Sequence, residues 1–227
     1  MQGYRRIPYK DLPEKAKIGI QYETMTVNPE KFLPLLKNEL QSRGVCFIQQ
    51  GVSQIEAVKD ATGCKAVVNA SGLGASNLAS DNSVLPVRGQ TMLVKTDFNE
   101  LMMWQGSHYT YVIPRMYTGG VIVGGVSQEG SFDQEVDKDL RVDILKRVKM
   151  LAGGSLDAVD LTRDVQMDIV AFRPARRDGY RLEVERDVVH AYGFGGLGYT
   201  YCYGAALEVR DLVQLLRGGE ASPKSRL

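Results

Sequence analysis

Apolar residues recur along the chain at two spacings, one helical and one alternating. Over residues 28–43, Phe32, Leu35, Leu36 and Leu40 fall on one face at helical spacing, with Asn28 placed to cap, Pro29 in the first turn and Gly44 at the end. Pro34 lies inside this pattern and is expected to distort the second turn. The run Val45-Cys46-Phe47-Ile48 predicts a strand, and Lys65 to Ala70 predicts another, followed by a glycine turn. A helix between two such strands is βα-type organisation. From about Pro86 the pattern shortens: Thr91–Lys95, Tyr109–Pro114 and Val121–Gly124 predict an antiparallel sheet. A helix is predicted over 137–151, with Leu140, Ile144, Val148 and Leu151 on one stripe. Strands at Tyr180–Val184 and Val188–Tyr192 then precede a glycine cluster and a helix over 200–216, stopped by Gly218-Gly219. The fold class that follows is α/β (α+β overall).

Composition narrows this little. In 227 residues, 44% hydrophobic and 24% charged positions are those of a globular chain, and a net charge of +1 gives no field for nucleic acid or an anionic membrane. No apolar run reaches bilayer length, and Met1 to Arg6 has no apolar core of a secretory signal. Cys46, Cys64 and Cys202 are odd in number and set among apolar neighbours, so buried thiols are expected. With only His108 and His190 beside them, no metal site is expected. The chain ends Ser225-Arg226-Leu227, the small–basic–leucine form of a peroxisomal address, behind a stretch that reads as an exposed tail.

Four segments carry candidate chemistry. In Asn69-Ala70-Ser71-Gly72-Leu73-Gly74-Ala75-Ser76, glycines after a strand allow close backbone approach and open a helix whose amides can face a phosphate. The third glycine of a GxGxxG pattern is absent, since Asn77 stands there, and a plain strand-to-helix turn is the competing reading. Tyr192-Gly193-Phe194-Gly195-Gly196-Leu197-Gly198-Tyr199-Thr200 holds four glycines in six positions at the mouth of a helix, a nest for an acceptor-rich group. In Phe172-Arg173-Pro174-Ala175-Arg176-Arg177, the residue before proline is held extended, and its guanidinium fork suits a carboxylate; a solvated basic turn is the alternative. Tyr111-Val112-Ile113-Pro114-Arg115 is either an ordinary strand or one that places a phenol over a pocket.

Taken in order, these segments, with Arg88-Gly89-Gln90-Thr91 and the Gly124-Gly125 pair, resemble the D-amino-acid oxidase family from about Tyr4 onward. The pattern Arg173 to Arg177 looks most like its fungal members. The resemblance implies an incomplete FAD-binding Rossmann-like domain with an inserted antiparallel-sheet substrate domain. In that scheme 1–18 is the end segment of the substrate domain, 86–170 the substrate-binding domain, and 19–85 with 171–227 what remains of the FAD-binding domain. It implies FAD as cofactor and oxidation of D-amino acids by O2 to 2-oxo acids, ammonia and hydrogen peroxide, with no protein general base. By the same carry-over Arg173 clamps the substrate carboxylate, the Tyr111 hydroxyl donates a second hydrogen bond to it, and the Gly196 carbonyl accepts from the amine. Gly195, Gly196, Leu197, Gly198, Tyr199 and Thr200 border the flavin, while Val52, Ser71 and Gly72 lie toward the adenosine and pyrophosphate. The implied partners are a small D-amino acid, O2 and a peroxisomal import receptor, with a homodimer as a candidate assembly.

Two departures qualify the resemblance. At the position where some members carry a second pocket tyrosine, and acid-preferring members an arginine, this chain has Ser127. That favours neutral substrates, although Arg115 and His108 are further sources of positive charge. The strand–GxGxxG–helix unit that opens family members and holds the diphosphate is not in this sequence, so tight FAD binding by the 227 residues is not expected. A D-aspartate oxidase and a non-catalytic truncated member of the family are the rival readings.

Overall fold

Residues 2–106, 109–115, 117 and 119–218 are described by the computed structural model. The chain opens with two short antiparallel strands, β1 (Arg5–Arg6) and β2 (Ile20–Gln21). Helix α1 (Pro29–Ser42) starts where the sequence predicts: the Asn28 side chain accepts from the Glu30 N–H at 3.2 Å, and Pro29 occupies the first turn. It continues unbroken through Pro34. It stops in a Schellman closure, with Gly44 at φ +86°, its N–H donating to the Gln41 carbonyl and the Val45 N–H to that of Leu40, each at 3.0 Å.

That closure corrects one expectation. Val45-Cys46-Phe47-Ile48 is not a strand. The Val45 N–H is spent on the helix end, and the run joins no ladder among the described residues. An apolar run becomes a strand only where a neighbour supplies hydrogen bonds; here Val45, Phe47 and Ile48 stay exposed. Helix α2 (Ile55–Thr62) follows, ended by Gly63 in the left-handed conformation, and then β3 (Val67–Asn69). A short 3₁₀ turn at Gly72–Gly74 leads into α3 (Ala75–Leu78). The next strands are β4 (Val84–Val94), β5 (Met102–Trp104), β6 (Thr110–Pro114), β7 (Val121–Gly124) and β8 (Gln128–Glu129), before helix α4 (Lys138–Leu151). The chain continues through β9 (Val165–Arg176), β10 (Arg181–Glu185), β11 (Val188–Tyr192), a 3₁₀ turn at Gly195–Leu197 and α5 (Gly198–Leu216). The α/β class expected from the pattern is the class observed.

Two compact units divide these elements. The first holds residues 1–46, 88–128 and 133–171. Its sheet runs β5-β6-β7-β4 with antiparallel pairing throughout, and β8 and β9 also pair with β4. Helix α4 lies on β6 and β7 and buries Ile144, Leu145 and Val148 against Met92, Val112, Val121 and Val123. Each such side chain contributes about 1.5–3 kcal/mol on burial. Arg88, 1% exposed, donates to Gln128, Gln90 and the carbonyls of Asp133 and Glu135. Gln90 and Asp137 exchange two further bonds at 2.7 and 2.9 Å, so the Arg88–Thr91 motif ties down the lead-in to α4.

The second unit holds 47–87, 129–132 and 172–227. Its three-stranded sheet has the order β10-β11-β3, antiparallel between β10 and β11 and parallel between β11 and β3. In the parallel pair Val188 faces Val67, Val189 faces Val68 and His190 faces Asn69. Helix α2 packs beside β3, and α5 beside β10 and β11.

One residue of α4 reaches beyond the apolar stripe. Arg147 donates to the Tyr109 carbonyl at 2.6 Å, the Thr110 hydroxyl at 2.7 Å and the Gly125 carbonyl at 2.9 Å, and pairs with Asp143. It thereby joins the start of β6 to the end of β7. Arg147→Met keeps most of the stem's packing and leaves these acceptors unsatisfied, so urea denaturation should show a loss of about 1–3 kcal/mol. The exposed Val142→Ala change on the same helix should stay within about 0.5 kcal/mol of the parent.

Candidate functional site

Strand β9 ends in the arginine-bearing segment, and two glycine loops run along it within the second unit. The loop after β11 approaches first: Phe194 bridges to Ala175, and Gly193 adopts φ +84° where an added Cβ would lie 2.8 Å from the Arg176 Cβ. Only glycine meets both conditions without moving the strand. At Gly196 a Cβ would lie 3.4 Å from the Arg173 Cδ, so this backbone rests on the arginine stem. The loop after β3 arrives at Pro174: Gly72, at φ +59°, would place a Cβ 3.5 Å from the proline ring. Arg173, Gly196, Gly195 and Gly72 of the expected site therefore lie in one unit, with both glycine loops touching the arginine segment.

The mouth of α5 suits an acceptor-rich ligand. Leu197 at its N-cap offers no capping oxygen, and no acidic residue occupies the first turn. Residues 196–200 are exposed. The Leu197 N–H is taken by the Phe194 carbonyl at 3.1 Å, so what the exposed helix start offers is the positive end of its dipole, with no side chain neutralising it. Tyr180 stacks on Phe194 with ring centres 5.0 Å apart and meets Tyr201 at 6.0 Å, bracing the loop from the side. This glycine-lined, uncapped start can admit a flat group with several acceptors. Ser71, with its turn, offers a second backbone approach. Val52 is exposed on the stretch before α2.

The three arginines of the segment have different tasks. Arg176 pairs with Asp81 at 2.8 Å. The same Asp81 oxygen accepts from the Tyr192 hydroxyl at 2.9 Å, and its other oxygen accepts from the Ser83 N–H at 2.9 Å. Arg181 completes the group, donating to Tyr192 at 3.0 Å and pairing with Glu183 and Glu185. Burial alone would raise the Asp81 carboxyl, but bonds from Arg176, Ser83 and Tyr192 hold it below the usual range. Arg176 is thus a strut, Arg177 is exposed, and Arg173, half-buried like Arg176, is the one whose stem lies under the glycine loop.

Tyr111 belongs to the first unit. It is 7% exposed on β6, opposite Gly124 on β7, with its ring edge-on to Tyr109 at 5.4 Å. Cβ atoms added to Gly124 and Gly125 would fall 2.9 Å from its hydroxyl and 2.5 Å from its ring. The glycine pair is the seat of this ring. Arg115, a candidate source of substrate-directed charge, instead donates to Asn28 at 2.9 Å and lies 3.5 Å from Glu30. His108 and Ser225, Arg226 and Leu227 lie outside the described residues.

The cysteine expectation is corrected: Cys46, Cys64 and Cys202 are free and exposed. Their apolar neighbours are themselves at the surface, as with Phe47 and Tyr201, so a local apolar context did not mean burial. Sequence reasoning missed Asp81 and the roles of Asn69 and His190, which brace the two loops from behind. A polar residue two places before the Ser71-Gly72 turn was the one available signal for Asn69; Asp81 and His190 meet their partners only through strand pairing. No cluster of ligating side chains able to hold a metal occurs among the described residues.

Comparison with known proteins identifies the family and the fold. The model of the family described as FAD dependent oxidoreductase (DAO) matches residues 5–212. The D-amino-acid oxidase of Schizosaccharomyces pombe is 34% identical over 92% of this chain, which spans 63% of that protein. D-aspartate oxidase 2 of Caenorhabditis elegans is 31% identical, with 91% and 62% covered. In structure the chain is similar to glycine oxidase from Geobacillus kaustophilus, at a TM-score of 0.57 and 23% identity, covering 73% of this chain and 48% of that one.

The strut predicts a pH dependence. Because the Asp81 carboxyl titrates lower in the folded chain than in the unfolded one, its contribution is full above the ordinary value near 4 and fades as pH falls through the lower folded value. Asp81→Asn should cost about 1.5–3 kcal/mol at pH 7. The gap between parent and variant in urea midpoints should narrow below about pH 4.

Proposed function

We propose that this chain, which belongs to the family of FAD-dependent oxidoreductases, forms the substrate-facing and flavin-bordering part of an oxidase of neutral D-amino acids. The reaction is oxidation of the amino acid by O2 in the presence of water to a 2-oxo acid, ammonia and hydrogen peroxide. One observation carries the reading: a glycine loop at an uncapped helix start lies directly on the stem of an arginine fixed by a following proline. A carboxylate needs a fork and an amine needs an acceptor; Arg173 supplies the first, and the Gly196 backbone beside its stem is assigned the second.

FAD, when bound, supplies the two-electron redox chemistry and its return to O2. The residues that would hold it are Gly195, Gly196, Leu197, Gly198, Tyr199 and Thr200 at the α5 mouth, with Ser71, Gly72 and Val52 toward its diphosphate and adenosine. The protein's task is orientation. Arg173 binds the carboxylate, the Tyr111 hydroxyl donates to it as well, and the Gly196 carbonyl accepts from the amine. With two ends of the substrate fixed, the handedness at the α-carbon decides whether its hydrogen is presented for transfer. The start of α5 would favour negative charge on a group held there by about 0.3–2 kcal/mol.

The neutral preference rests on Ser127, which adds no charge, and on Arg115, which is engaged by Asn28 and Glu30. The curated relatives include both D-amino-acid and D-aspartate oxidases, so substrate class is the point to test. We also assign residues 86–170 to substrate binding and the terminal Ser225-Arg226-Leu227 to peroxisomal import. A fluorescent fusion ending in these three residues should be punctate, and one lacking Leu227 diffuse.

The functional test is peroxide release by protein supplied with a large excess of FAD, because tight binding by the 227 residues is not expected. Turnover of D-alanine should exceed that of D-aspartate, and L-alanine should give none. Arg173→Met should cost about 2–5 kcal/mol in kcat/KM, chiefly through KM, and Tyr111→Phe about 0.5–1.5 kcal/mol. A preference for D-aspartate would favour the acidic-substrate reading. Undiminished activity in the Arg173 variant would remove the carboxylate assignment.

A further inference from the structure

The Ser71 turn is fixed from beneath by a buried pair. Asn69 is 4% exposed and His190 3% exposed, and they face each other in the parallel pairing of β3 and β11. The Asn69 Oδ1 accepts from the Ser71 N–H at 3.2 Å and from the Ser71 hydroxyl at 2.7 Å. Two donors on one oxygen fix which way the amide points, so its Nδ2 must face the imidazole. It lies 3.3 Å from the His190 Nδ1. An N–H can be received there only by an unprotonated ring nitrogen. His190 is therefore neutral with its proton on Nε2, directed at Glu185 at 3.4 Å.

We infer that His190 is a positioning residue: acting through Asn69, it holds Ser71 and the Gly72–Gly74 turn in the shape offered to the cofactor. This rests on the assignment of Ser71 and Gly72 to FAD made above. The consequence is a switch. A proton on Nδ1 would set two donors face to face, and Asn69 relieves that only by turning its amide over. The Ser71 N–H then meets Nδ2 and loses its acceptor.

The charged groups acting on the ring all stand on β10: Arg181 disfavours its protonation, while Glu185 and Glu183 favour it. Tyr192, on the same strand as His190, meets the ring edge-on at 5.8 Å. Burial is the largest influence and, with Arg181, holds the imidazole below its usual value of 6.5. The turn is thus in its binding shape at neutral pH and is released on acidification.

Nuclear magnetic resonance on the 227-residue chain tests this without relying on activity. Between pH 8 and 5 the Ser71 amide resonance should move with the same midpoint as the His190 ring protons, below 6.5. In His190→Gln the side-chain carbonyl can still accept from Asn69 but cannot titrate, so the Ser71 shift should become flat. In Asn69→Asp an oxygen can serve both Ser71 and a protonated ring, and the His190 midpoint should rise by about one unit or more. A Ser71 amide that ignores the His190 titration, or an Asn69→Asp midpoint at or below the parent's, would overturn the inference. Adding FAD to the same samples separates the two claims: shifts at Ser71–Gly74 support the cofactor assignment, whereas no shifts there with the pH linkage intact would contradict only that assignment.

Discussion

The approach of the 193–198 loop to the end of β9 sets the terms for the rest of the site. Gly193 lets the backbone pass the Arg176 side chain, and that passage lays Gly196 on the stem of Arg173. A side chain at Gly193 would meet the Arg176 Cβ at 2.8 Å and lift the loop from the strand, whereas at Gly196 a Cβ would only touch the Arg173 stem at 3.4 Å. The strut of Asp81, Arg176 and Tyr192 holds the strand from the other side. A small group of close contacts, rather than a large enclosed cavity, thus brings the fork, the acceptor and the helix mouth together.

The same economy appears in the turn after β3. There the glycines allow the shape and the Asn69–His190 pair selects it. Polar groups buried at that depth cost stability unless fully bonded. Each here has a partner, so the cost is offset and the loop is left with one arrangement. In the first unit Arg147 acts similarly, joining the strand ends around Tyr111 from the helix that covers the sheet.

Much of this was legible in the residues. The periodicity of Leu140, Ile144 and Val148 gave α4, and Val121–Gly124 and Val188–Tyr192 are strands at the stated bounds. Glycine density marked the α5 mouth, and proline marked Arg173. What could not be read was anything settled by pairing: Val45–Ile48 looked like a strand but had its first N–H taken by the helix end, and β9 was hidden because its residues lack strict alternation. The difference between Arg173 and Arg176 was likewise invisible, since it depends on Asp81, ninety-five positions away. Exposed cysteines beside exposed aromatics misled for a related reason, because burial belongs to the packed surface and not to local hydrophobicity.

Whether both glycine loops border one cofactor is decided by hydrogen–deuterium exchange with and without FAD in large excess, since tight binding by the 227 residues is not expected. Exchange should slow at 71–74 and 195–200 together, with residues 138–151 unchanged. Protection confined to one loop, or appearing elsewhere while both loops exchange as before, would contradict it.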